Sequence, residues 1–376
     1  MFTKNSIFSE ISPILDRPWR PQPWLGFLSP VYWAAAGIHR AWMVASEKRC
    51  LRAQPFLPTI PMVVVGALKV GGSGKTSVTL EIARAFSQKG YRVAVLAYRI
   101  KADPRKVVCA VGDSDLMEVE EGDDWRSSSE EALLLRCYSG ARVFVTRNRA
   151  RAWRSLHRTE WDLRAVDPND TRPFDLIVSD DGLQDPRLNQ AFRLLLMAPG
   201  EKPALHDLLP AGPYRETWGA HARADLILEG PYPWDVTYTQ PLDLQPPQAQ
   251  FPAPEFREGQ VVHKFWRRLI LPPETDLRRP WIALCSLGDN RPFLADLRRE
   301  GIELVAIVEG RNHAALPLLD LKDCVARFPE AGILCTRKDF LKLDPESAIG
   351  LPIHVVDQSI CLDQAVLAAV EAHLRC

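Results

Sequence analysis

Residues 63–86, VVVGALKVGGSGKTSVTLEIARAF, place an apolar run, a glycine-rich turn and a helical pattern in immediate succession. Few arrangements constrain a fold more. Small residues let backbone N–H groups crowd around a phosphate oxygen, and the helix that follows aims its partial positive end at the same point. The residues of this cradle are Val70, Gly71, Gly72, Ser73, Gly74, Lys75, Thr76 and Ser77. Lys75 has the length and charge to reach β- and γ-phosphates, and the Thr76 hydroxyl suits Mg²⁺. The full pattern asks for a glycine five residues before Gly74, where this chain has Lys69. A merely structural glycine turn is the alternative. The apolar run Val63–Val65 before the turn and Val78, Ile82, Ala85 and Phe86 after it supply the strand–turn–helix context that nucleotide binding requires.

The rest of the chain alternates. Residues 92–97, 106–111, 141–146, 174–179, 193–198 and 225–229 read as strands, residues 130–138 as a helix, and the acidic stretch 113–124 as a solvated loop. A second alternating block begins at Trp281, with a helix at 290–300 and a last helix at 361–374. Such alternation predicts an α/β fold, a parallel sheet with helices on both faces, plus a second smaller α/β lobe. Seven prolines and four glutamines between Pro231 and Pro254 read as a linker, followed by a short β element at 259–271. The expected divisions are therefore 1–52, 53–230, 231–280 and 281–376. A length of 376 residues accommodates them.

Charge and cysteines narrow the chemistry. Lys plus Arg equals Asp plus Glu at 47 each, so no overall field gathers nucleic acid, and none is expected as a partner. The eight cysteines are scattered singly without a CxxC pair, which argues against zinc or dithiol chemistry and for a reducing compartment.

Four of the eleven tryptophans fall in the first 42 residues. After Ser29-Pro30, a good helix start, Val31, Ala35, Ile38, Trp42 and Ala45 recur every third or fourth residue as one apolar stripe. Seven Lys or Arg against three Asp or Glu lie in residues 1–60. The stretch is too short and interrupted to span a bilayer, which needs about 20 apolar residues. It can lie on an anionic membrane surface, or it can pack on the protein's own core. The tryptophan and arginine excess favours the membrane.

FDLIVSDDGLQD, residues 174–185, ends an apolar strand in two carboxylates. Ligands bind at the carboxyl ends of strands in open α/β sheets, and Asp180 or Asp181 there can hold the Mg²⁺ of a nucleotide. A plain polar turn is the competing reading.

With these segments, LLPAGPYRE (208–216) and ILCTRKDFLKL (333–343) complete a set whose order resembles the tetraacyldisaccharide 4′-kinase family, the lipid A kinases, over nearly the whole chain. The resemblance implies a two-lobed P-loop kinase on the cytoplasmic face of the inner membrane. It would move the γ-phosphoryl of ATP to the 4′-hydroxyl of a lipid-linked glucosamine disaccharide. It implies ATP and Mg²⁺ as cofactors and the phosphate-loop roles of Lys75 and Thr76. It also implies a metal-side group of Thr76, Asp180, Asp181, Gln184 and Glu216, with Arg215 neutralising phosphate charge.

The acceptor side departs from the family. On the Gly-Asp-Glu that opens a helix in the family, the expected register places Ser128, Ser129 and Glu130, which leaves no aspartate base. The family's Asp-His pair is Asn312-His313, the turn after the second strand lacks its glycines, and Asp185 replaces a histidine. Glu130 and His313 are therefore the expected pair to take the acceptor's proton. A catalytically altered ATP-binding regulator and a switch-type P-loop ATPase remain as alternatives.

Overall fold

A computed structural model describes residues 23–53, 60–98, 116–156, 173–233, 261–310 and 314–375. His313, the expected strand at 106–111 and most of the proline-rich linker lie outside the described residues.

The chain forms two compact units. The larger comprises Gln22–Arg267 and Ile360–Cys376. After a 3₁₀ turn at Pro23–Leu28 it contains α1 (Ser29–Ala53), β1 (Met62–Ala67), α2 (Lys75–Gln88), β2 (Val93–Tyr98), β3 (Met117–Val119), α3 (Trp125–Ser128), α4 (Glu130–Ser139), β4 (Arg142–Thr146), α5 (Arg149–Ser155), β5 (Leu176–Asp180), β6 (Phe192–Met197) and β7 (Leu226–Pro233). The next strand, β8 (Val262–Ile270), begins in this unit. Its strands are ordered β8-β7-β6-β1-β5-β2-β4-β3, all parallel except the edge pair β3–β4. β1 and β5 are buried throughout their length, as central parallel strands covered on both faces must be. Strand pleating sends Met62 and Val64 to a cluster with Ala150, Trp153, Phe174 and Leu188, while α2 and α4 pack together on the sheet. β3 corrects part of the expected acidic loop: Met117 and Val119 alternate inward around Glu118, which pairs with Arg142 at 2.7 Å.

The smaller unit, described over Arg268–Ser359, contains β9 (Trp281–Cys285), α6 (Arg291–Arg299), β10 (Leu304–Glu309), α7 (Leu318–Arg327), β11 (Gly332–Thr336), α8 (Arg337–Phe340), α9 (Pro345–Ala348) and most of β12 (Ile353–Leu362). Its strands run β10-β9-β11-β12, all parallel. Trp281 is fully buried against Gly332, where a side chain would collide with the indole. Beneath β9, the Asp339 carboxylate accepts from Ser286 and Thr336, and Lys342 donates to Ser286, in a satisfied buried polar network.

The expected division at 281–376 is corrected at its end. The tail of β12 and α10 (Gln364–Leu374) belong to the larger unit, where Lys89 pairs with Glu371 at 2.7 Å and Phe192 stacks on His373. α10 buries Val366 and Val370 completely, a demand that outweighs its place in the chain.

α1 sorts its residues by face. Tyr32, Ala36, Arg40 and Met43 are partly covered, and the helix lies against the turns at Pro186–Leu188 and Leu205–Asp207. The predicted stripe points the other way: Val31, Ile38 and Trp42 are 64, 72 and 64 % exposed. Core packing of that stripe is thereby excluded. No described helix is long and apolar enough to cross a membrane.

Candidate active site

The glycine-rich turn leaves β1 and enters α2 with positive φ at Gly71, Gly72 and Gly74 (67°, 65° and 78°), angles that side chains disfavour. Lys69 does not need glycine's freedom. It forms a bridge with Tyr214, while Val70 N donates to Pro213 O and Arg215 N to Leu68 O. The segment 208–216 is thus laced to the loop, which explains why these distant motifs belong together. Val78 N bonds Gly74 O at 3.0 Å, starting α2, and the residues before it form the turn of the cradle. Lys75 Nζ rests on Ser73 Oγ at 3.2 Å, and burial holds its pKa below the ordinary lysine value.

β5 ends directly beside this turn. Thr76 Oγ1 donates to Asp180 Oδ2 at 2.9 Å and Thr79 Oγ1 to Oδ1 at 3.4 Å. Asp180 is pushed up to about 6, first by burial and against the pull of Lys75. Asp181 is the opposite case. Arg215, Lys75 and Arg149 outweigh its desolvation and hold it at about 2, with Arg215 Nη1 at 2.7 Å from its Oδ2. It sits at φ 65° for a non-glycine residue, with Gly182 N donating to its own Oδ1 at 2.9 Å. Strain of this kind collects at functional sites, where surrounding contacts enforce it. Two neighbouring carboxylates are thus separated: one compensated by arginine, the other buried with only hydroxyl donors.

That second carboxylate fits a hard cation. Thr76 and Asp180 present oxygen ligands beside the phosphate cradle, and Mg²⁺ asks for one or two carboxylates plus substrate phosphates rather than a full protein cage. No cluster of three or more His, Cys, Asp or Glu suited to a metal occurs among the described residues. Gln184 and Glu216, expected on the metal side, engage other partners. Gln184 accepts from Arg215 at 3.1 Å and donates to Ala67 O at 3.0 Å, with Glu216 at 3.4 Å from the same amide nitrogen. Glu216 is buried between Arg223 and Arg40.

Arg149 was not legible as a site residue. It donates from Nη2 to Asp180 O at 2.8 Å, lies over the Tyr98 ring, and has a buried Nε without a hydrogen-bond partner. Its signal was positional: it follows β4 at the carboxyl edge of the sheet, where ligands bind. Arg40 and Arg223 carry no motif at all.

At the opening of α4, Ser129 has φ 82° and ψ 147°, a conformation that suits glycine, and its Oγ caps Ala132 N at 3.2 Å. Glu130 and Glu131 follow directly, in the first turn of α4. Glu130 is buried at 2 % exposure, and the charge of Glu131 reaches Asp180.

Comparisons with known proteins identify the family. A family model described as tetraacyldisaccharide-1-P 4′-kinase (LpxK) matches residues 22–375. A tetraacyldisaccharide 4′-kinase of Polaromonas naphthalenivorans is 26 % identical over 338 residues, covering 88 % of this chain and 85 % of the relative. One from Acidovorax sp. is 30 % identical over 325 residues, covering 84 % and 80 %. The crystal structure of an "apo" form of LpxK from Aquifex aeolicus in complex with ATP superposes with a TM-score of 0.58 at 22 % identity. It covers 92 % of this chain and 99 % of that one, a likeness of fold. The chain belongs to the tetraacyldisaccharide-1-P 4′-kinase family.

Proposed function

We propose that this protein transfers the γ-phosphoryl of ATP to the 4′-hydroxyl of a lipid-linked glucosamine disaccharide, a step of lipid A biosynthesis. The observation that carries the reading is the Thr76–Asp180 hydrogen bond, which joins the phosphate loop to the acidic strand end within a chain of this family. The loop amides and Lys75 hold the β- and γ-phosphates. Thr76 and Asp180 would hold Mg²⁺, which when bound neutralises charge between those phosphates. Arg215, kept extended by Asp181 and Gln184, and Arg149 across the same strand end supply fixed positive charge to the moving phosphoryl. Phosphoryl transfer is mostly positioning and charge stabilisation, so this set covers the larger share of the task.

On the acceptor side, the oxygen of the 4′-hydroxyl forms the new P–O bond, ADP leaves, and the hydroxyl proton passes to a carboxylate. A register that sets the glycine-like turn of Ser129 on the family glycine puts Glu130 on the aspartate position, and Glu130 is then that base. A glutamate is longer by one methylene than the family aspartate, which lets a buried carboxylate reach outward. The exposed Val31, Trp33, Ile38 and Trp42 of α1, with Phe27 before it, support peripheral attachment to an anionic membrane, where the lipid acceptor resides.

The experiment is transfer of radiolabelled phosphate from ATP to a tetraacyldisaccharide 1-phosphate in mixed micelles. Labelled product is expected with the unaltered chain and not with Lys75→Ala. An unaltered chain that hydrolyses ATP without labelling the lipid would refute the acceptor assignment.

A further inference from the structure

Among the described residues, one connection out of the site runs to the surface helix α1. Glu216 is 4 % exposed, and each of its carboxylate oxygens meets a different arginine. Arg223 Nη2 reaches Oε2, and Arg40 Nη1 from α1 reaches Oε1. Arg223 comes from the same connecting segment, seven residues on. Arg40 comes from a helix that joins no strand of the sheet. Two further residues of α1 share its covered side. The Tyr32 hydroxyl lies in the field of Arg215 and Arg40, and Ser29 Oγ donates to Leu208 O at 3.0 Å.

One guanidinium would neutralise Glu216. A second, ion-paired to the other oxygen, has a geometric consequence, because a separate positive charge at each oxygen disfavours rotation of the carboxylate. With the carboxylate fixed, the Gln184 amide nitrogen is placed between Glu216 Oε2 at 3.4 Å and Ala67 O at 3.0 Å. The amide then has one orientation, with Oε1 toward Arg215 Nη1 at 3.1 Å. The same Nη1 holds Asp181 Oδ2 at 2.7 Å.

We propose that Arg40 is a positioning residue for the nucleotide site: from α1 it locks Glu216, and through Glu216 and Gln184 it aims the Arg215 guanidinium at the phosphates. The inference rests on the reading of this site as an ATP site and adds to it. It makes α1 a structural part of the phosphate-binding machinery as well as a docking element. Whatever steadies α1 also steadies Arg215, and by linkage nucleotide binding steadies α1.

The test is a double-substitution cycle on the full chain, read as equilibrium binding of a fluorescent ribose-labelled ATP analogue with Mg²⁺ and without acceptor. Arg40→Ala is expected to weaken binding about tenfold, less than the full cost of breaking a buried ion pair because its effect on the phosphates is indirect. Arg40→Lys should recover part of that loss, because it keeps the charge without the planar fork. Placed in Arg215→Ala, Arg40→Ala should cost less than about twofold, since the residue through which it acts is gone. A merely structural contribution would leave the two losses multiplicative. That result, or unchanged binding in Arg40→Ala, overturns the proposal. If Arg40→Ala does not fold, the same cycle with Arg40→Gln, which keeps most of the side chain's length, decides it. Failure of the unaltered chain to bind the analogue would remove the kinase reading itself, and the inference with it.

Discussion

Asp180 and Asp181 differ by one position and sit in opposite electrostatic states. Asp180 has its folded pKa at about 6, above the ordinary aspartate value of 3.8, because burial outweighs its partners. Between those two values the folded protein holds a proton that the unfolded chain has released, so stability falls as pH rises through the window. Without metal, Asp180→Asn should therefore raise the apparent melting midpoint at pH 7.5 by roughly 2–4 °C and leave it unchanged near pH 4. Thermal unfolding in EDTA at both pH values measures this. The same substitution should lower phosphate transfer at least about a hundredfold, by removing a charged ligand from the site. Ser129 supports a second residue-scale prediction. Ser129→Gly relieves a conformation unsuited to side chains and loses only a cap, so it should stabilise by about 0.5–1 kcal/mol. Ser129→Asp should not raise transfer, whereas Glu130→Gln should lower it at least about tenfold, and Glu131→Gln less, if the shifted register is right. Denaturant titration and the transfer assay, run on all four, give the answer.

Among the elements, α1 joins two requirements in one helix. Its stripe at Val31, Ile38 and Trp42 is solvent-exposed, while Ser29, Tyr32 and Arg40 face the loop around Leu208–Glu216. Removing residues 1–52 would abolish both roles at once and could not distinguish them. Changing the three exposed residues together to serine should reduce sedimentation with anionic vesicles about tenfold or more, with ATP affinity and melting midpoint nearly unchanged. Binding of the unaltered chain should weaken as salt rises, because part of the attraction is electrostatic. Equal sedimentation of the two proteins would count against the membrane role.

For the whole molecule, two compact units with separate cores predict more than one unfolding transition. ATP·Mg²⁺ should raise the midpoint of the transition that belongs to the larger unit, since it binds that folded unit. α10 makes the assignment checkable. Val370 is fully buried on the larger unit although it lies at the far end of the chain. Val370→Asp puts an unpaired charge into that core, and the transition that moves down should be the one ATP raises. Calorimetry with and without nucleotide distinguishes this from the division at residue 281, under which the nucleotide-shifted transition would stay in place.

The phosphate loop, the acidic strand end and the alternation of strands and helices were legible from residue type and spacing, because backbone geometry and hydrophobic periodicity are local. So was the stripe on α1, though periodicity names a face without saying what covers it. Tertiary structure decided the rest. Lys69 in place of glycine became intelligible only through its bridge to Tyr214. The glycine-like turn at Ser129, on which the proposed one-residue shift rests, is a backbone angle that two adjacent serines cannot reveal. Glu216 was visible as an acidic residue in a motif, but its partners Arg40 and Arg223 were not. Which charges share a buried site depends on contacts between segments far apart in the chain. Burial is what makes those contacts matter, because it both raises the cost of an unpaired charge and strengthens the pairing that relieves it.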